Sequence, residues 1–196
     1  MNRNRYSSTM LCVGMLLVAG CNPKDDSKAN YQSAINDYYK AHSACLWQET
    51  KKLPVQAATS DDAKTQGFDA LTDAGVLTRT TAEKKVFIVA SKQVNNYDLS
   101  EQGRSSWTPD TAQPGYGNFC YGHRAVDAID SFTAGVNSSG LKTATVNYHY
   151  SMADVPAWAK SEEIKTAFPS VAAALARSLP GQDSLVMNGT SWQLTK

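Results

Sequence analysis

The sequence predicts an α+β fold: an N-terminal helical lobe with a small hairpin, then an antiparallel sheet with a helical insertion. Three observations predict it. Apolar positions at Tyr31, Ile35, Tyr38, Cys45 and Leu46 recur at helical spacing. Residues 143–152 alternate cleanly, with Val146, Tyr148, Tyr150 and Met152 on one side and Thr145, Asn147, His149 and Ser151 on the other. Asn188-Gly189 stands between two strand-forming runs, the strongest short-range signal for a two-residue hairpin.

The chain begins with Arg3 and Arg5, then an apolar run from about Met10 that closes on Leu17-Val18-Ala19-Gly20-Cys21. Basic residues, a short apolar stretch and small residues before a cut site are the order of a secretory signal. About ten apolar residues are too few to span a bilayer, which takes about twenty. With cysteine directly after Ala19-Gly20, the stretch resembles the lipobox of bacterial lipoproteins. The resemblance implies that residues 1–20 are a signal peptide and that Cys21 becomes the triacylated first residue. Two or more acyl chains hold firmly, since each buried methylene contributes about 0.8 kcal/mol. Asn22 stands where an Asp would favour inner-membrane retention, so the expected site is the periplasmic face of an outer membrane.

Cysteine usage follows from that address. Cys12 leaves with the signal and Cys21 carries lipid, so Cys45 and Cys120 remain as an even pair in an oxidising compartment. A disulfide between them is expected. Removing the signal takes Arg3 and Arg5 from 19 basic side chains, against 18 acidic, a formal −1. No basic patch for nucleic acid or anionic lipid is present. The processed length of about 175 residues suits one domain or two small lobes.

Along the processed chain, residues 21–30 read as a flexible tether, polar and without apolar period. A helix is expected from about Asn30 to Gln48, with Cys45 on its buried stripe. Thr59-Ser60-Asp61-Asp62 starts a second helix, acidic in its first turn, with Phe68 and Leu71 on its apolar face and Gly75 as its stop. Val76-Leu77 leads through a loop to a strand at Val86–Val89. Asn95-Asn96 is read as a turn, Tyr97–Leu99 as a strand pairing back, and Ser100–Gly103 as another turn. Residues 60–103, taken in that order, resemble a winged-helix module. The nucleic-acid function of that family is not implied, because the matching helix carries Asp61, Asp62, Asp69 and Asp73 against Lys64.

The turn-rich stretch Thr108–Asn118 separates two expected lobes, 31–107 and 119–196. Beyond it come a strand at Val126–Phe132, a loop at Gly135–Gly140 and the strand ending at Met152. Helical segments follow around Trp158 and from Ser161 to Phe168. Pro169 kinks or ends them, and an alanine-rich helix runs from Ser170 to Leu179. The last expected element is the hairpin of 185–194 about a type I′ turn at Asn188-Gly189.

Sites are sparse. His42, His123 and His149 lack metal-ligand spacing, and no nucleophile elbow or phosphate loop is present. No metal or cofactor is expected. Asp127 and Asp130, three apart on a strand, are expected on opposite faces. Phe119-Cys120-Tyr121-Gly122-His123-Arg124 is the densest cluster of capable side chains. It reads either as a recognition corner, with Tyr121, His123, Arg124 and His149 as candidate binding residues, or as a structural corner in which Tyr121 packs and Arg124 pairs with a carboxylate. The expected function is non-enzymatic: an envelope lipoprotein that holds the lipid bilayer through Cys21 and binds a protein or cell-wall partner, as an inhibitor, immunity or stress protein would. The alternative is a hydrolase or small-ligand binder using the Cys120–Arg124 corner.

Overall fold

The computed structural model describes residues 25–87 and 90–195. Five helices and three antiparallel sheets are present among these residues, so the fold is α+β. The expected signal peptide, Cys21 and residues up to 24 lie outside the described part.

Helix α1 (Lys28–Ala41) opens on Ser27, whose hydroxyl accepts from the Asn30 N–H. The described end of the expected tether, residues 25–30, is already engaged. The Asp25 carbonyl accepts from Trp192 Nε1 at 3.4 Å, and the Asp26 carboxylate meets the Tyr31 hydroxyl and Lys142. α1 also stops earlier than its periodicity suggested. His42 caps it, stacking on Tyr38, and the next residues extend instead of coiling. The physical reason is a competing partner. Ala44 and Leu46 donate to the Gly122 and Phe119 carbonyls at 2.8 and 3.0 Å, and Tyr121 donates back to Ala44. Cys45 therefore sits opposite Cys120 in extended backbone, not on a helical stripe, and the two are disulfide-bonded with sulfurs 2.02 Å apart.

Two short strands unread in the sequence follow, β1 (Lys51–Lys52) and β2 (Val55–Ala58). Helix α2 (Asp62–Asp73) has the expected acidic start, capped by Asp61, and the chain leaves it through Gly75 at φ 79°. β3 (Leu77–Phe87) and β4 (Ala90–Leu99) then form one long hairpin whose connection, 88–89, lies outside the described residues, as does half of the strand expected at 86–89. Asn95-Asn96 is not a turn. It lies within β4, the middle strand of the sheet β2-β4-β3. The amides are used across the sheet: Asn95 accepts from the Thr81 hydroxyl at 2.8 Å and donates to Tyr97, while Asn96 accepts from Gln56. Ser100–Gly103 continues as a short helix, α3 (Glu101–Ser106), with Ser100 as its cap. The turn-rich stretch 108–118 is not a lobe linker, since β5 (Trp107–Pro109) and β6 (Tyr116–Phe119) pair across it in the sheet β1-β6-β5.

The largest sheet has the order β10-β9-β8-β7, built from β7 (His123–Val136), β8 (Lys142–Ala153), β9 (Leu179–Asn188) and β10 (Ser191–Thr195). Gly135-Val136 belongs to β7, so the expected loop shortens to 137–141. The alternation along β8 is as read, with Val146, Tyr148 and Tyr150 buried. Between β8 and β9 come a 3-10 turn (Ala157–Lys160), α4 (Glu162–Ala167) and α5 (Pro169–Ala174). Pro169 ends α4 and occupies the first turn of α5, where its missing N–H costs nothing. α5 is shorter than expected because Leu179 is already paired with Tyr150 in the sheet. At the last hairpin only Gly189 has positive φ (62°), and Asn188 pairs with Ser191. The loop is thus Gly189-Thr190, with glycine at the first central position as a type II′ turn requires.

Two hydrophobic cores result, and they interleave along the chain. One joins α2, β2–β4, Phe119, Tyr121 and the helical insertion around Trp158, Ile164 and Val171. The other joins α1 (Tyr31, Ile35) to the four-stranded sheet. The division expected at 107–119 is therefore not the division between cores.

β7 slips register twice against β8, at Val126/Ala128 and at Ile129/Ser131. Each slip adds a residue, so Val126, Ile129 and Phe132, three apart, all reach the core side. The inserted residues, Asp127 and Asp130, share the outer face, contrary to the alternation argument. Asp127 accepts from Ser151, and Asp130 lies 2.8 Å from His149. Around the slips α1 satisfies the backbone of this edge strand. Asn36 accepts from the Val126 N–H at 2.8 Å, Gln32 donates to the Val126 carbonyl, and Lys28 donates to those of Ile129 and Asp130. Positions 28, 32 and 36 form one helical row. Asn36→Ala leaves the Val126 N–H without its partner and is expected to destabilise the fold by about 1–3 kcal/mol. Ser33→Ala, on the exposed side of α1, is expected to stay within about 0.5 kcal/mol. Urea unfolding of both variants checks the contrast.

Candidate functional site

The corner at Cys120 is built by the pairing of 44–47 with 118–122. Asn118 closes its lower end, accepting from the Trp47 N–H and donating to the Trp47 carbonyl at 2.7 Å. Gly122, at φ 120°, lets β7 begin: a Cβ there would lie 2.4 Å from the Ala153 carbonyl oxygen. Of the four candidate side chains that radiate from this region, Tyr121 and Arg124 stay close enough to interact electrostatically, while His123 and His149 go elsewhere.

Tyr121 is buried in the first core, and burial raises its hydroxyl pKa above the ordinary tyrosine value. His123 lines a groove of about 480 Å³ beside Cys120, with Lys40, Ser106, Asp154 and Trp158. Its Nδ1 is 3.6 Å from the Asp154 carboxylate, which is 81% exposed and sits on backbone at φ 54°. That gap is too long for a hydrogen bond, so the pair interacts only as charges when the imidazole is protonated. Trp158, at the groove's inner wall, holds the buried side-chain polar atom that has no partner among the described residues, its indole Nε1. None of Tyr121, Arg124 or His149 reaches this groove. His149 lies on the outer face of the sheet with Asp130, both about two-fifths exposed.

Arg124 finds no carboxylate within ion-pair distance among the described residues. Its guanidinium lies between the rings of Tyr39 and Tyr150, 4.9 and 4.6 Å from their centroids, and Nη1 donates to the Tyr39 hydroxyl. Tyr39 and Tyr148 in turn donate to the two oxygens of Asp183, at 3.3 and 2.6 Å. Burial opposes the Arg124 charge, yet Tyr39, Tyr150 and Tyr148 together outweigh it and hold the pKa above the ordinary arginine value. Burial and then Asp183 push both Tyr39 and Tyr148 upward. The cluster clamps α1 to β7, β8 and β9. With the Tyr39 and Tyr148 hydroxyls and the Arg124 guanidinium all shifted upward, it suits packing and offers no proton to move.

A second groove, of about 470 Å³, escaped the sequence reading. It lies between β2, α2 and the start of α5. Trp47, Phe68 and Phe168 wall it, with the Trp47 ring 6.1 Å from Phe68 and 6.4 Å from Phe168. Lys51, Lys64 and Gln66 supply polar groups, and no Asp or Glu lines it. Lys64 is paired with Asp61, whereas Lys51 is half-buried and its ammonium makes no hydrogen bond or ion pair among the described residues. Gly67, in mid-helix, lets Phe168 approach: a Cβ would lie 3.1 Å from its ring edge. Such an arrangement suits an apolar body carrying a negative charge. Its residues come from four separated segments, and a periodicity argument has nothing to join them.

Comparisons with family models, curated proteins and solved structures find no match to this chain. Among the described residues, no three His, Cys, Asp or Glu side chains are grouped to hold a metal ion, and no helix is long and apolar enough to cross a membrane.

The buried tyrosines make the fold sensitive to alkali. Burial, then Asp26, pushes the Tyr31 hydroxyl from 10.0 up to about 12. Its raised folded-state pKa means its contribution is complete below pH 10 and is lost as pH rises toward 12. Unfolding measured from neutral pH upward is expected to show wild type losing stability more steeply above pH 10 than Tyr31→Phe. Parallel profiles would mean that Tyr31 carries no such linkage.

Proposed function

We propose that this chain is a lipid-anchored protein of the bacterial envelope, held by acylated Cys21, that binds a partner rather than transforming one. The observation that carries the reading is the order Arg3, Arg5, apolar run, Leu17–Cys21 in a chain whose remaining pair, Cys45 and Cys120, is bonded. A disulfide suits the oxidising side of a membrane, where such a signal delivers a protein. Asn22 favours the periplasmic face of the outer membrane. The partner is a protein or cell-wall component, and it docks at the aromatic groove of Trp47, Phe68 and Phe168. Unpaired Lys51 there fits an acidic group on an apolar stem. Separation of His123 and His149 from each other and from Tyr121 and Arg124 supports binding over a reaction at the Cys120–Arg124 corner.

Mass spectrometry of the purified protein is expected to show cleavage before Cys21 and the added mass of acyl chains, with Cys21→Ala released from membranes. An unmodified amino terminus would overturn the anchor. At the groove, 2-naphthoate serves as the probe. Its binding to the purified chain is expected to saturate, to weaken roughly tenfold to a hundredfold in Lys51→Met, and to disappear in Gly67→Leu, which fills the space. Equal affinity for the uncharged 2-naphthamide would overturn the role of Lys51.

A further inference from the structure

The large apolar side chains most exposed among the described residues are Val136, at 68%, and Leu141, at 46%. Val136 ends β7 and Leu141 is the last residue of the loop 137–141, at the free end of the β7–β8 hairpin. Three contacts tie this end of the sheet to the start of the described chain. Lys142, next to Leu141, lies 3.7 Å from the Asp26 carboxylate. Phe132, lower on the hairpin, packs on Tyr31 with ring centroids 5.0 Å apart. Trp192, from the far side of the sheet, holds the Asp25 carbonyl.

The chain between Cys21 and Asp25 is four residues long, and at full extension it spans at most about 14 Å. That is too short for the domain to stand clear of a surface to which Cys21 is anchored. It places the end of the sheet that carries Asp25, Asp26 and the hairpin tip against the lipid headgroups, a layer about 5–7 Å deep on each side of the hydrocarbon. Two aliphatic side chains left in water there gain from entering it. The pairing of Lys142 with Asp26 offsets one of the two carboxylates, Asp25 and Asp26, at that end.

Resting on the anchor proposed above, we infer that the β7–β8 hairpin tip, through Val136 and Leu141, is a bilayer-contacting surface that sets the domain's orientation on the membrane. The contact adds little to the hold of the acyl chains. Its effect is to fix which face of the protein looks away from the lipid.

The test uses the acylated full chain in vesicles of phosphatidylethanolamine and phosphatidylglycerol. An environment-sensitive nitrobenzoxadiazole label is placed on Leu141→Cys, on Val136→Cys, or on Lys64→Cys, exposed on α2. Labels at 141 and 136 are expected to shift to the blue and to be quenched by spin-labelled lipid at least twofold more than the label at 64. Equal quenching at 141, 136 and 64, with mass spectrometry confirming acylation of the same sample, would overturn the orientation while leaving the anchor standing. An unacylated sample from the native host would overturn both. A Leu141→Ser/Val136→Ser double variant labelled at Asn137→Cys provides the converse: quenching is expected to fall toward the level at 64, and quenching undiminished there would count against contact through these two side chains.

Discussion

The structure depends on one junction, the antiparallel pairing of residues 44–47 with 118–122 that the Cys45–Cys120 bond locks. Before it in the chain lies α1, which belongs to the core of the four-stranded sheet. After it lie β1, β2 and α2, which belong to the other core. On the opposite strand, Phe119 packs in one core while β7 leads directly into the other. Closing 75 residues of intervening chain removes about 4.5 kcal/mol of conformational freedom from the unfolded state on the chain-entropy account. Its positional effect is the larger one. The same pairing sets Trp47 at the wall of the aromatic groove and Cys120 and His123 at the wall of the other.

Much of the fold was legible because much of it is local. The helix start at Thr59–Asp62, the alternation of β8 and the helix from Ser161 need only neighbouring residues, and each is present in the fold. Failures occur where distant partners outbid local preference. Asn95-Asn96 has turn composition, but Thr81 and Gln56 supply hydrogen bonds that make both asparagines good mid-strand residues. The end of α1 yields to the backbone of 119–122. The slips in β7 do leave a trace, since Val126, Ile129 and Phe132 recur at three, which suits neither a regular strand nor a full helix. That trace becomes readable only with the polar row Lys28, Gln32, Asn36 beside it. Neither pattern announces the other from sequence, because nearly a hundred residues separate them.

The sites were less legible for a related reason. Residue type marked Tyr121, His123 and Arg124 as chemically capable, but the bend at Gly122 and the alternation that follows it send neighbours in different directions. One turns into a core, one into a groove and one between two tyrosine rings. The groove of Trp47, Phe68 and Phe168 inverts the situation. Each of its residues looks like ordinary core in its own segment, and only packing leaves the three rings half-covered beside a lysine without a counter-charge. Gly67 carries the nearest thing to a signal. A glycine in mid-helix costs about 1 kcal/mol against alanine, so its presence there asks for something that needs the space, and Phe168 is what the structure supplies.

The reach of α1 also explains why the hairpin tip is bare. An edge strand with unpaired backbone groups invites association and is usually covered, bulged or charged. β7 is bulged, and the hydrogen bonds from α1 to its backbone reach only as far as Asp130, through Lys28, with Tyr31 packing on Phe132 just beyond. The helix cannot continue beyond Ser27, because there the chain turns to carry Asp25 and Asp26 to Trp192 and Lys142. From Ser131 outward the strand presents Thr133, Ala134, Gly135 and Val136 with no charge among them, and its neighbour Leu141 is open as well. A free edge of that composition is a liability in bulk water. It ceases to be one where another chain cannot approach, and on the proposed arrangement the headgroup layer fills that side. On that proposal, helix length, tether length and hairpin exposure would answer one requirement, that the amino-terminal end of the domain lie flat against a membrane.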